Sequence, residues 1–309
     1  MQRIRNSLSR LFLNKPSASE LPHLKQLQQL QQQHQGRPFV FDEGNLRLMF
    51  FNQKCMQSAM KTDAPEKLIC GYTRAMMGFL LAHPAPRHIL MIGLGGGSLL
   101  KFCYRHLPQC RITVLEIDAD VIALRRQFQI PDDDERLSIV QCDAVDYLER
   151  QAVQADVILL DGYDVDGLVE ELNTPAFYAS CRRALSTDGI LVANIWGKSK
   201  VIAPLLSALR ALFANNVWWS RSVDSYNLIV FALKNPALSL TPPPLAQASD
   251  LDRQYALQLG ALCQRLNTLH TGLNADDIPA LTQHLAGMMA SDANVPRSYA
   301  EWTELVSKV

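Results

Sequence analysis

Residues 88–118 read HILMIGLGGGSLLKFCYRHLPQCRITVLEID, an order that few folds can accommodate. An apolar run, His88 to Ile92, enters a cluster of glycines at Gly93, Gly95, Gly96 and Gly97. A helix-like stretch follows. A second apolar run, Ile112 to Leu115, stops at Glu116 and Asp118. Strand, glycine turn, helix, strand and acid form the layout of a nucleoside-binding βαβ unit. Glycines let the backbone approach a ligand that a Cβ would strike. A tight turn without a ligand also uses glycine, but it needs no acid 23 residues after Gly93. The pattern from Gly93 is Gly-x-Gly-Gly-Gly-Ser, without the sixth-position glycine of a dinucleotide fingerprint. Adenosine-bearing ligands without a pyrophosphate therefore suit it best.

The flanking sequence extends this unit into an α/β, doubly wound sheet. Strands are predicted at 88–92, 112–117, 138–142, 156–161, 189–195, 216–222 and 227–233. Several, such as DVILLD and GILVANI, are near-continuous apolar runs, as expected for strands covered on both faces. Helices are predicted at 97–107, 119–127, 143–151, 175–186 and 200–214. The last two strands are separated only by residues around Asp224-Ser225, which makes them an antiparallel hairpin. The expectation is a seven-stranded, methyltransferase-like (Rossmann-like) domain over residues 67–236, opening with a helix over 67–82.

The flanks are different in kind. Residues 37–66 read as a small β-segment, with RPFVFDEG and LRLMFFNQ joined by a turn at Asp42–Asn45. Residues 1–36 read as an arm. Arg3, Arg5, Arg10 and Lys15 precede its first acid, Glu20, and the Gln-rich stretch 26–35 suits either a short helix or a disordered lead-in. Pro242–Pro244 opens a linker, and 237–309 reads as that linker with a helical appendage.

Charge and cysteine usage narrow the function classes. Thirty basic and thirty acidic residues cancel, so no global field points to nucleic acid or a membrane surface. No apolar stretch reaches the ~20 residues of a membrane span. The seven cysteines form no C-x-x-C pair, which suits free thiols in a cytoplasmic protein and argues against zinc. The seven histidines show no ligand spacing, and no metal is expected.

Chemistry concentrates at predicted strand ends, where open α/β sheets bind ligands. Glu116 and Asp118 follow the second strand, Asp143 the third and Asp161 the fourth, with Asp164 three residues later. Any one of them could cap a helix. Together they repel unless a cationic or hydroxyl-rich ligand compensates. Glu116 is placed to hold a ribose diol, Asp143 to accept from the exocyclic amine of adenine, and Asp161 with Asp164 to face a positive group.

From about Leu48 to Leu233, some 60% of the chain, the sequence resembles the spermidine synthase family of aminopropyltransferases, built on the S-adenosylmethionine methyltransferase fold. The matching segments are MIGLGGGSLLK, VLEIDADVI, VQCDAVDYL and DVILLDGYDVDGLVEELNTPAFYASCRRALSTDGILV. The resemblance implies donor contacts at Gln57 and Glu116, an adenine contact at Asp143, and an amine-acceptor site of Tyr72, Asp161 and Asp164 with Asp161 as base. It implies decarboxylated S-adenosylmethionine or S-adenosylmethionine as donor, a small-molecule amine such as putrescine as partner, and a possible homodimer. Three positions depart from the family pattern. Gly96 stands where the glycine loop carries an aspartate that holds the amine end of the decarboxylated donor. Thr73 follows Tyr72 in place of glutamine, and Val165 replaces a proline. Aminopropyl transfer is therefore the leading reading. Methyl transfer and non-catalytic nucleoside binding are its alternatives.

Overall fold

A computed structural model describes residues 21–52, 55–164, 169–240, 245–268, 277–290, 296 and 299–307. All seven strands expected from the apolar runs form: β4 (His88–Ile92), β5 (Arg111–Glu116), β6 (Leu137–Gln141), β7 (Ala155–Leu160), β8 (Leu185–Ile195), β9 (Val217–Arg221) and β10 (Leu228–Leu233). An eighth, β11 (Asn267–Thr268), pairs antiparallel with β9 through Asn267 opposite Trp219. The helical reading of the C-terminal segment did not include it, because two residues are too few to show a period. The order is β11-β9-β10-β8-β7-β4-β5-β6. Strands β4 to β8 run parallel, whereas β10 and β9 are antiparallel. Because β4 lies between β5 and β7, the chain winds away from it in both directions. The crevice at its carboxyl end is the topological switch point where such sheets bind ligands.

Local chemistry sets the element boundaries. Gly97, with φ +66°, leads into the helix Ser98–His106. Asp118 and Asp143 cap the helices Ala119–Ala123 and Ala144–Arg150 by accepting from Asp120 N and Val145 N. The first of these is shorter than the 119–127 expected. The chain leaves it through Gln129, at φ +52°, and Ile130 N donates to Arg125 O in a six-to-one closure. The helix Pro175–Ala184 ends before its expected 186, because Leu185 already pairs with Ala155 in β8. The 67–82 region becomes a short α-helix, Gly71–Met76, continuing as a 3₁₀ turn, Met77–Leu81.

Apolar side chains form one core on each face of the large sheet. The C-terminal helix Ile278–Ala290 joins one of them, burying Leu281 and Leu285 beside Leu206 and Leu209 of the helix Ser199–Leu212. A third core lies under the small sheet, β1 (Phe39–Glu43), β2 (Leu46–Asn52) and β3 (Cys55–Lys61). Into it come Leu27 from the helix Leu21–His34 and Trp302 from the helix Tyr299–Ser307. The Gln-rich lead-in is thus helical over 21–34. The basic residues Arg3 to Lys15 and the Pro242–Pro244 boundary lie outside the described residues. Strand β3, CMQSAMK, falls within the expected 37–66 β-segment but, with no β-branched residue, has no strand pattern of its own, yet it walls the crevice. No described helix is long and apolar enough to cross a membrane.

Lys101 ties the layers together. It is 4% exposed and donates to Phe128 O (2.7 Å) and Met60 Sδ (2.9 Å). Burial pushes its pKa down to about 7. Between about pH 7 and 10 the unfolded chain therefore holds a proton that the folded chain has lost, so this group adds stability as pH rises. The unfolding free energy of the wild type minus that of Lys101→Met should climb across that window by a few kcal/mol at most, and stay flat below it. Denaturant titrations at stepped pH measure the difference; a flat difference throughout would contradict the shift.

Candidate active site

The carboxyl ends of β4 to β7, together with β3, enclose a cavity of about 500 Å³, within the range of small-molecule sites. Gly93 makes the junction. At φ +95° its Cβ would collide with the backbone carbonyl of Asp161, so only glycine lets the turn after β4 lie against the loop after β7. Gly93 N donates to Leu115 O (2.9 Å), and Asp161 N donates to Ile92 O (2.9 Å). The glycine turn and the acidic side of the cavity are thus held to the same strand end.

Glu116 fixes the side of the cavity formed by the glycine turn. Its carboxylate accepts from Leu94 N (2.8 Å) through Oε2 and from Asp118 N (2.9 Å) through Oε1. Burial pushes its pKa up, opposed by these hydrogen bonds. One side chain therefore grips the glycine turn and the start of the next helix. Asp143, an exposed cap, lies at the rim of the same cavity. Ile117, between Glu116 and Asp118, lies 66% exposed at the cavity edge. Gly95 and Gly96 line the cavity. Gly97 lies outside the lining, with its backbone turned against the Ile130 side chain.

The acidic side centres on Asp161. Burial pushes its pKa above the usual carboxylate value, while hydrogen bonds from Asn194 and Tyr72 pull it back. Asn194 Nδ2 donates to Asp161 Oδ1 at 2.8 Å. Tyr72 is held protonated by burial first and by the Asp161 charge second, so its hydroxyl remains a donor. Tyr163 donates to Asn194 O (2.9 Å) and adds an aromatic wall, as do Tyr72 and Trp196. Asp164 is exposed on the rim. Gln57 Nε2 donates to the Asp164 carbonyl at 3.5 Å, so the structure places Gln57 against the acidic loop. Val165 lies outside the described residues.

The position that departs from the family's glycine loop is closed from behind. A Cβ on Gly96 would stand 2.5 Å from Ser58 Oγ and 2.8 Å from the Phe128 ring. The wall there is a neutral hydroxyl and an aromatic edge. Among the described residues, no group of three or more His, Cys, Asp or Glu side chains is arranged to hold a metal ion.

Of the residues singled out in sequence, Tyr72, Gln57, Gly93, Gly95, Gly96, Glu116, Asp143, Asp161 and Asp164 meet around this one cavity, and Gly97 does not. Ser58, Asn194 and Asn227 also line it, and sequence reasoning missed all three. For Asn194 a signal existed: it is the one polar residue in the strand run ILVANIW. A buried carboxamide in such a strand requires a partner.

A doubly wound sheet with a glycine turn, an acid after the second strand and a crevice at the switch point defines a protein of the methyltransferase-like fold. Residues 69–227 match the spermine/spermidine synthase domain, and the chain belongs to that family. A polyamine aminopropyltransferase of Chromobacterium violaceum is 35% identical over 229 residues, covering 74% of this chain and 88% of that protein. Two solved structures share the fold. A probable spermidine synthase from Corynebacterium glutamicum has a TM-score of 0.60 at 21% identity, over 70% of this chain and 82% of that one. A spermidine synthase in complex with the transition state analogue AdoDATO has a TM-score of 0.53 at 20% identity, over 82% and 89%. The expected family, and with it the class of aminopropyl-transferring enzymes, therefore holds.

Glu116→Gln separates the bracing role of this side chain from simple bulk. A carboxamide offers one acceptor oxygen and turns an NH₂ toward the second backbone donor, leaving Leu94 N or Asp118 N unpaired at about 1–3 kcal/mol. The variant should fold, with a lower melting temperature and a methylthioadenosine-induced thermal shift reduced by at least half. An undiminished shift would remove Glu116 from the nucleoside site.

Proposed function

We propose that this chain transfers an aminopropyl group from decarboxylated S-adenosylmethionine to a small amine such as putrescine, releasing methylthioadenosine. The observation that carries this reading is the Asp161 site: a carboxylate with a burial-raised pKa, aromatic walls and fixed hydrogen-bond donors, in one cavity with the Glu116-braced glycine turn. In this reading Glu116 takes the ribose hydroxyls, Asp143 the adenine amine, and Ile117 the base plane. Gln57 and the glycines Gly93, Gly95 and Gly96 shape the path of the donor, and Gly97 supports the turn from behind. Tyr72 and Asp164 orient the acceptor.

The reaction is an in-line displacement. The amine nitrogen forms a bond to the methylene carbon beside the sulfonium, the C–S bond breaks, and the sulfur leaves as a neutral thioether. The nucleophile must be the free amine. At pH 7 an alkylamine of pKa ~10.4 is deprotonated at a cost of about 4.6 kcal/mol. A carboxylate at its ordinary pKa is a poor acceptor for that proton. Burial narrows the mismatch by raising the basicity of Asp161, which then passes the proton toward the exposed Asp164 rim and solvent. Holding both substrates in line supplies much of the remainder.

One observation favours a second reading, methyl transfer from S-adenosylmethionine. With Gly96 backed by Ser58 and Phe128, no carboxylate stands at that point of the glycine loop to select an amine tail or to repel a donor carboxylate. Turnover assays with both donors decide between the readings. Methylthioadenosine release that requires the decarboxylated donor supports aminopropyl transfer; S-adenosylhomocysteine from the full donor would replace it. Asp161→Asn should lower turnover by about 10²–10⁴-fold while the thermal shift with methylthioadenosine persists. An active Asp161→Asn would remove Asp161 as the base. The acid limb of wild-type kcat/KM should have its midpoint above the ordinary carboxylate value of 3.8, because only ionised Asp161 accepts the proton.

A further inference from the structure

Strands β9 and β10 are joined by a turn, residues 222–227, that contains four buried polar side chains, Ser222, Asp224, Ser225 and Asn227. Asp224 is 5% exposed, yet it is far in sequence from anything it touches outside its own turn. Its Oδ2 accepts from Gly71 N at 2.5 Å, across 153 residues. Its Oδ1 accepts from Ser222 Oγ at 2.7 Å. Gly71 is the first residue of the helix Gly71–Met76, and the next residue is Tyr72. The helix has no side-chain cap of its own at Cys70, so Asp224 satisfies the first backbone donor from outside. The approach is close: a Cβ on Gly71 would stand 2.5 Å from Asp224 Oδ1 and 2.7 Å from Val223 Cγ2.

The other end of the same turn reaches the other half of the acceptor site. Asn227 Nδ2 donates to Asn194 Oδ1 (2.9 Å), and Asn194 Nδ2 donates to Asp161 Oδ1 (2.8 Å). The direction of this relay is imposed by chemistry. An ionised carboxylate can only accept, so Asn194 must present its NH₂ to Asp161 and its oxygen to Asn227. The turn is closed on itself by Ser222 N donating to Asn227 O (2.9 Å). Six consecutive residues thus hold both the helix that carries Tyr72 and the carboxamide that holds Asp161.

We infer that the 222–227 turn is a brace for the Tyr72–Asp161 pair, with Asp224 and Asn227 as positioning residues that act through Gly71 and Asn194. The inference rests on the reading of Asp161 and Tyr72 as the acceptor site. The titratable groups facing Asp161 are Tyr72 and Cys70 from the start of that helix and Tyr163 from its own loop. All three are kept protonated by burial, with Cys70 pushed up to about 12. Exposed Asp164 shares the cavity. Loss of an oriented NH₂ donor from Asn194 makes the Asp161 carboxylate more basic.

The test uses the full chain with ¹³C-carboxyl-labelled aspartate, titrated by NMR, the Asp161 signal being the one lost in Asp161→Asn. In Asn227→Ala the Asp161 midpoint should move up by about half a pH unit or more, and kcat should fall about fivefold to tenfold with donor KM unchanged. Asp224→Ala should raise amine KM and lower kcat by a similar factor. Asp224→Asn should restore activity to within about twofold, since the carboxamide oxygen still accepts from Gly71 N and Ser222 Oγ can accept from its NH₂. If Asp224→Ala does not fold, Asn227→Ala decides alone. An unmoved Asp161 midpoint with unchanged kcat would reduce the turn to a structural loop and overturn the inference. Wild-type protein that turns over no aminopropyl donor would instead sink the proposed function, and the titration would still report on the brace.

Discussion

The contact between Gly93 and the Asp161 carbonyl is the constraint from which the cavity follows. Two loops leave adjacent parallel strands at the same end of the sheet, and each must turn within one or two residues. With a side chain at Gly93 they would be forced apart by the width of a methyl group. Glu116 and Asp161 would then no longer share one space. Everything else at the site refines this junction. Glu116 locks the glycine turn from one side, while Asn194 and Tyr72 lock Asp161 from the other. In-line displacement needs both substrates fixed relative to one another, so a shared strand end serves it better than two independent loops.

The polar groups around Asp161 balance opposing demands. Burial makes the carboxylate more basic, as the proposed deprotonation of the acceptor requires; each hydrogen bond makes it less so. A fully desolvated acid would be neutral and useless as a proton acceptor, while a fully solvated one would be too weak a base. The Asn227–Asn194–Asp161 relay and the Tyr72 hydroxyl keep the group between these limits.

Much of this was legible in the residues themselves, for identifiable reasons. Apolar runs such as DVILLD and GILVANI mark strands covered on both faces, and all seven formed within a few residues of their expected limits. The acids after β5, β6 and β7 come to one rim because parallel strands end on the same side. Two of the acids, Asp118 and Asp143, also serve as helix caps, so a capping role and a place on the rim are compatible. Signals failed where interactions are long-range. Strand β3 has little intrinsic preference for its conformation and is held by pairing to β2. The eighth strand is two residues long. Gly71 falls inside the helix expected over 67–82, and nothing in that pattern points to Asp224 beside it. Asn194 stood out only as the one polar residue of an apolar run, with no partner visible in the sequence, and Ser58 lies on a strand without a pattern of its own.

The third core joins parts of the chain that are far apart in sequence. Leu27 and Trp302 are both buried beneath the three-stranded sheet whose last strand presents Gln57 and Ser58 to the cavity. Residues near the two extremities of the polypeptide are thereby stitched to one another and to the ligand-facing wall. An affinity tag or deletion that disturbs the helix around Trp302 would act on the cavity through this core, which also holds Met56 and Tyr72 of the pocket lining. Shortening the C-terminal region would therefore alter the cavity.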